Sequence, residues 1–368
     1  MPVSSAPSSH IGATGLRNLG NTCFMNSIIQ CINGTSPLAR HFLDGSYRKQ
    51  INTVNYMGYK GVLAEEFASL IRSLWNNQSN AISPSSFRVL VGSLSSQFKN
   101  YDQQDSQEFL AFLLDGLHED LNLVINRPTL PDIDDDYFES LPDQQASDLA
   151  WDRYTQLNNS IIVNLFQGQL RSRLQCQACF KTSTSYNTFM YLSLPIPKLG
   201  KFHKSVPLID CLNSFVKEEV LDGDDAWICS RCKVPRKTIK QLSISRLPDI
   251  LLIHLKRFSY EGPFRNKLDT MVDCPLTKLD LTKYVPPTSA KSSITDPNGK
   301  PLGHVYNLYA VSNHYGTLNG GHYTASVRNG YNGEWRYFDD SQISLINEKK
   351  VVTSAAYNLF YVRTNVNG

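Results

Sequence analysis

The sequence predicts an α+β fold, on three observations. Apolar residues recur at helical spacing through the first third of the chain, whereas β-branched and aromatic residues gather in short runs through the second half. Between these regions stand two C-x-x-C pairs, Cys176-Gln177-Ala178-Cys179 and Cys229-Ser230-Arg231-Cys232. The 368 residues are 41% apolar and 19% charged, which is enough for a sizeable core shared by two or three subdomains.

Residues 1–13 open with a small, polar run (Met1 to His10) and are expected to be disordered. The folded domain is expected to span residues 14–364. Its first informative stretch is Gly15-Leu16-Arg17-Asn18-Leu19-Gly20-Asn21-Thr22-Cys23-Phe24-Met25-Asn26, running into Ser27-Ile28-Ile29-Gln30-Cys31-Ile32. It reads as a glycine-bearing loop feeding a helix, with Asn21 and Thr22 as cap residues and Phe24, Ile28 and Ile32 on one face. Cys23 then falls in the first turn, where unpaired N–H groups and the helix dipole favour an anion, so its thiol is expected to ionise more easily. The alternative for any cysteine is a small buried packing residue, and Cys31 is read that way.

Helices continue to about residue 125, with Leu63, Phe67, Leu70, Ile71 and Leu74 on one face and Phe109, Phe112, Leu113 and Leu117 on another. Residues 127–148 break the pattern with three prolines and the run Asp134-Asp135-Asp136, which reads as a solvated insertion, a docking role being the alternative. Strands are predicted at Ile250–Leu255, Tyr306–Val311, His322–Val327 and Asn358–Val362. His254 inside the first of them reads as a hydrogen-bonded core histidine. Residues 284–303 carry four prolines and are expected to form a mobile loop.

Lysine and arginine exceed aspartate and glutamate by 36 to 33, a net +3 spread along the chain, which provides no basic face for nucleic acid. No apolar run reaches the ~20 residues of a membrane span and no signal-peptide core opens the chain, so a cytoplasmic or nuclear location is expected, with endosomal association left to regions outside it. In that setting two C-x-x-C pairs point to metal or redox chemistry before disulfides. Each pair can take adjacent corners of a tetrahedron, so Cys176, Cys179, Cys229 and Cys232 are the candidate ligands of one structural zinc on two β-ribbons. Cys211 and Cys274 have no such partner and read as structural.

A nucleophilic Cys23 needs a base, and Asn319-Gly320-Gly321-His322-Tyr323-Thr324 offers His322 at the mouth of a strand behind two glycines. Tyr337-Phe338-Asp339-Asp340 follows and supplies a carboxylate on the expected neighbouring strand, Asp339 before Asp340. Cys, His and Asp in that order, the first on a helix and the others on a sheet, is the arrangement of papain-type thiol hydrolases. Cys23 would attack a carbonyl, His322 move the proton and Asp339 fix the imidazole. The side-chain amide of Asn18 would donate to the developing oxyanion.

These boxes resemble the ubiquitin-specific protease family. Tyr101-Asp102-Gln103-Gln104-Asp105-Ser106-Gln107-Glu108-Phe109 is similar to that family's second box, and the segments Leu165 to Leu170 and Leu251 to Phe258 agree with it. The resemblance covers residues 14–364. It implies a papain-like enzyme with an α-helical thumb (about 14–160), zinc-bearing β fingers (about 161–250) and a β-sheet palm (about 251–364). It further implies that ubiquitin and ubiquitin-conjugated proteins are the partners, and that the bond after ubiquitin's C-terminal glycine is hydrolysed through a thioester. Zinc would be the only cofactor, with no part in the chemistry, and the protein is expected to be a monomer. Asp105 and Glu108 would then line the channel for ubiquitin's arginine-bearing tail, with Gly320, Gly321 and Tyr323 beside it. A papain-like acyl transferase would share the triad but not the knuckles, and an inactive ubiquitin-binding scaffold would have lost the triad.

Overall fold

Helix α1 (Cys23–Asn33) is the centre of the molecule, and all eleven of its residues are buried. The apolar side chains Ile28, Ile29 and Ile32 each contribute about 1.5–3 kcal/mol by leaving water. Its polar residues are buried too, because α1 has neighbours on every side. Ser27 meets Ser312 Oγ at 3.1 Å, and Gln30 Nε2 donates to the Thr14 carbonyl at 2.8 Å. The computed structural model describes residues 12–364 except 77, 199–203, 262–263, 287–302, 318–319 and 331. Most of the expected disordered segment and of the expected mobile loop therefore lies outside the described residues, although Gly12 and Ala13 pack on the domain, Ala13 being buried.

Around α1 lie α2 (Ser36–Leu43), α3 (Val62–Trp75), α4 (Ser85–Leu94) and α5 (Ser106–Asp120). The predicted faces are the ones that pack, with Leu63, Phe67, Leu70, Ile71 and Leu74 of α3 and Phe109, Leu113 and Leu117 of α5 all in one core with α1. Helix α3 begins after Gly61 without a side-chain cap of its own. Its first N–H groups are satisfied from the far end of α5, where the buried Asp120 carboxylate accepts from Tyr59 N at 2.6 Å, Leu63 N at 3.0 Å and Ala64 N at 3.1 Å.

The palm sheet runs in the order Gln342–Leu345, Trp335–Asp339, Gly320–Arg328, Val305–Thr317, Ala356–Arg363, Ile250–Lys256, Tyr191–Pro195. All four predicted strands are present. Neighbours are antiparallel except for the last pair, which is parallel. Both faces are covered, so Ile250 and Leu252 enter the core around α1 while Leu251, Ile253 and Leu255 enter a second core with helix α9 (Leu208–Phe215). That two-sided burial is why the strand reads as an unbroken apolar run. Cys211 and Cys274 are buried in the second core, as expected.

The finger sheet has the order Thr182–Phe189, Gly168–Cys176, Thr238–Arg246, Glu219–Leu221 and is antiparallel throughout. Residues 191–195, inside the expected finger range, join the palm, because they pair with Ile250–Lys256. The acidic insertion is solvated as expected, Asp134, Asp135 and Asp136 all being exposed, but it has structure of its own. It folds as α6 (Asp135–Ser140) and α7 (Asp143–Leu157), followed by α8 (Ile161–Phe166). Asp143 pairs with Arg171 and Arg173, Asp148 with Arg246, and Asp136 with Lys181 at 2.6 Å. Its acids are thus placed against basic residues of the finger strands, a pairing across distant sequence that no local pattern reveals.

Candidate active site

Cys23 is the first residue of α1, and the loop before it is held by its own side chains. Asn18 Oδ1 accepts from Gly20 N at 3.0 Å and Thr22 N at 3.2 Å, while Thr22 Oγ1 accepts from Leu19 N at 2.9 Å. Thr22 occupies the N-cap position but its hydroxyl serves the loop, so α1 starts without a side-chain cap. Gly20 has φ 93° and lies against the Tyr101 ring, where a Cβ would come within 2.7 Å, so both backbone angle and space demand glycine. The expected ease of ionisation is not found. Burial pushes the Cys23 thiol above its usual range and the nearby Asp340 carboxylate adds to that, against the N–H groups of Tyr323, Phe24 and Cys23 itself. Burial is the largest of these influences.

The N–H of Tyr323 that helps the thiol belongs to the strand Gly320–Arg328, which also carries His322. His322 Nε2 lies 2.6 Å from Asp339 Oδ1, with both side chains partly open to solvent. Strand register explains the choice of carboxylate. Ala325 pairs with Phe338, so continuing by one residue sets Asp339 opposite Thr324, on the face of the sheet that His322 shares. Asp340 leaves the strand in the left-handed region, φ 49°, and turns its carboxylate to the thumb. There Oδ2 accepts from Asn18 Nδ2 at 2.9 Å and Oδ1 from Asn26 Nδ2 at 2.8 Å. Cys23, His322, Asp339, Asp340 and Asn18 therefore gather at one junction of thumb and palm. Among the described residues no hydrogen bond joins Cys23 to His322; the imidazole's bond runs to Asp339.

The expected tail-lining residues are placed differently from one another. Asp105 is the N-cap of α5, accepting from Gln107 N at 2.7 Å and from the Tyr357 hydroxyl at 2.6 Å. Burial raises its pKa while these donors oppose the rise. Glu108 is exposed and hydrogen-bonded to Gln97. Both acids thus stand at the start of α5, each with a hydrogen-bond partner of its own. Tyr323 has its ring buried in the core, and its hydroxyl lies 3.4 Å from Ser106 N. Gly320 faces open space. Gly321 presses on His314, where a Cβ would lie 2.2 Å from Nε2, and its backbone is bound by Gln103.

Four residues escaped the sequence reading: Asn26, Tyr101, Gln103 and Tyr357. The first three lie within boxes already singled out, where nothing local shows which side chains reach across the cleft. Tyr357 sits in an apolar strand whose polar tip was the available signal. His254 accords with its reading, Nδ1 lying 2.9 Å from Ser193 Oγ, and burial lowers its pKa to about 4.

At the far end of the fingers the Sγ atoms of Cys176, Cys179, Cys229 and Cys232 lie within 4.8 Å of one another. Two identical turns position them, with Phe180 N donating to Cys176 O and Lys233 N to Cys229 O, and Phe180 and Lys233 at φ 57° and 61°. The 3.5 Å between Cys179 and Cys229 sulfurs is far beyond the roughly 2 Å of a disulfide and near the roughly 3.8 Å edge of a tetrahedron with zinc–sulfur bonds of about 2.3 Å. Backbone N–H groups of Cys232 and Arg231 bring Cys229 down to about 6, so a thiolate is available. The donor set fits zinc.

Comparison with known proteins agrees with this arrangement. The family described as "Ubiquitin carboxyl-terminal hydrolase" matches residues 14–361. Ubiquitin carboxyl-terminal hydrolase 2 of Bos taurus is 43% identical over 351 residues, covering 95% of this chain and 55% of that protein. Ubiquitin carboxyl-terminal hydrolase 4 of Saccharomyces cerevisiae is 42% identical over 367 residues, covering 95% of this chain and 39% of that protein. The chain thus spans about half the length, or less, of these curated relatives. Among solved structures, the SAGA Ubp8/Sgf11/Sus1/Sgf73 DUB module bound to ubiquitin aldehyde superposes with a TM-score of 0.70 at 27% identity, over 99% of this chain and 72% of that one.

Proposed function

The chain belongs to the ubiquitin carboxyl-terminal hydrolase family, and from that premise we propose that it is a cysteine-type deubiquitinase acting through Cys23, His322 and Asp339. One observation carries the reading: the strand that sets the His322–Asp339 pair, 2.6 Å apart, also packs its next residue, Tyr323, into the core that holds Cys23. Nucleophile and base therefore adjoin one backbone segment. Because burial holds the thiol protonated, it needs a base at hand, and Asp339 on Nε2 leaves His322 Nδ1 to take the proton.

The sulfur then bonds to the carbonyl carbon of ubiquitin's last glycine, and the electron pair moves to oxygen. Asn18 Nδ2, oriented by its own bonds to Asp340, Gly20 and Thr22, donates to that oxyanion together with the uncapped N–H groups at the start of α1. Collapse breaks the carbon–nitrogen bond, and His322 returns the proton to the departing amine. Water, deprotonated by His322, cleaves the thioester and restores the thiol. The tail runs between thumb and palm beside Asp105, Glu108, Gly320 and Gly321. Zinc on the four finger cysteines would staple the ribbons and takes no part in the reaction.

The test is reaction with ubiquitin bearing a C-terminal thiol-reactive group. An adduct on Cys23, absent in Cys23→Ser, is the expected result. Labelling elsewhere, or none, would reject the assignment.

A further inference from the structure

At the mouth of the site a single side chain joins thumb and palm. Gln103, in the loop before α5, donates from Nε2 to the Gly321 carbonyl at 2.9 Å and accepts at Oε1 from the Gly321 N–H at 2.6 Å. The amide thus occupies both backbone groups of the glycine that precedes His322. The bonds lie at the surface, where water competes and opening is easy.

This clasp completes a ring. Two residues back from Gln103 the Tyr101 carbonyl accepts from Asn21 Nδ2 at 2.8 Å, and the chain from Asn21 leads to Asn18, whose Nδ2 reaches Asp340 at 2.9 Å. Asp340 adjoins Asp339, which holds His322 at 2.6 Å, and His322 adjoins Gly321. Covalent and hydrogen bonds therefore run unbroken around the space beside Cys23.

We propose that Gln103 is the latch of this ring, closed in the free enzyme and obliged to release Gly321 before a conjugated tail can enter. The inference rests on the reading above, that the tail runs between thumb and palm beside Gly320 and Gly321. Its reason is topological. A conjugated tail carries ubiquitin's body at one end and the target protein at the other, so it cannot be threaded end-first and must pass sideways through a gap in the ring. Release of Gly321 also frees an N–H and a C=O for the extended backbone of the arriving tail, the pairing that strand edges offer to peptides. Gln103 thus controls access, and is a specificity residue and not a catalytic one.

The test compares Gln103→Met, which keeps the length of the side chain and removes both hydrogen bonds, with the wild type in a Cys23→Ser background. Association of a fluorescent ubiquitin–protein conjugate is followed by stopped flow, and amide exchange of Gly321 is measured in the free protein. Expected are faster Gly321 exchange and an association rate constant about three- to tenfold higher, as befits two exposed hydrogen bonds. With Cys23 restored, alkylation by a small thiol reagent should match wild type, which places the effect on access. Unchanged Gly321 exchange, or faster exchange with association no quicker than wild type, overturns the latch. Absence of a ubiquitin adduct on wild-type Cys23 would overturn the functional reading instead, and is scored separately from the variant's ratio.

Discussion

Replacing Asp340 with alanine should slow turnover and yet make the nucleophile easier to ionise. The carboxylate accepts from Asn18 at 2.9 Å and Asn26 at 2.8 Å, tying the proposed oxyanion donor and the helix of the proposed nucleophile to the palm. Loss of an oxyanion donor costs about 10²–10³ in kcat, some 2.7–4 kcal/mol. Asn18 keeps its Oδ1 bonds to Gly20 and Thr22, so it is displaced but not released, and a fall in kcat of about 10- to 100-fold is expected. The thiol responds in the opposite sense. The Asp340 charge disfavours the thiolate and raises the Cys23 pKa, so its removal lowers that pKa and increases the thiolate fraction at any pH below it. Steady-state hydrolysis of a ubiquitin conjugate gives the first quantity, and the pH profile of iodoacetamide alkylation the second. An alkylation midpoint that stays or moves upward, or an unchanged kcat, would refute the reasoning.

Metal analysis of reduced protein should find one zinc per chain, and chelation should lower the thermal midpoint and loosen the fingers while leaving Cys23 alkylation unchanged; no zinc, or a chelator-insensitive midpoint, would reject the cluster's role. Asp143→Ala removes the partner of both Arg171 and Arg173, partly exposed pairs worth about 1 kcal/mol or less each, so the thermal midpoint should drop by a few degrees at low salt and the difference should shrink in 0.5 M salt. His254 and His314 titrate near 4 in the fold against 6.5 when free, so the unfolded chain takes up their protons first. Their contribution to stability is present above 6.5 and lost as the pH falls toward 4, at up to about 1.4 kcal/mol per pH unit for each, and a urea midpoint that is flat between pH 6.5 and 5 would contradict it.

Much of the chemistry could be read before folding because it is local. The Cys23 box, the glycines before His322 and the two knuckles each place their groups within a few residues, and apolar periodicity sufficed for α3, α5 and the palm strands. What could not be read shares a cause, which is that partners are long-range properties. Nothing near Asp105 in the chain shows that its carboxylate meets the hydroxyl of Tyr357, 252 residues away in sequence. The acidic insertion is exposed as read, but its partners Arg171, Arg173, Lys181 and Arg246 lie elsewhere in the chain, and only the fold brings them to it.

By itself, then, the sequence determined the candidate reactive residues, their order along the chain, the four-cysteine donor set and the alternation of helical and extended segments, all of which depend on neighbours in the chain. Tertiary structure decided which carboxylate meets His322, how deeply Cys23 is buried, and where Gln103 finds its partner. Antiparallel register carries Asp339 to the His322 face and lets Asp340 turn away, and that register is set by packing of the whole sheet against α1. Hydrogen bonds between residues 218 or 322 positions apart exist only once that packing is complete, since the entropy of closing such loops is offset by the core and not by the bonds themselves.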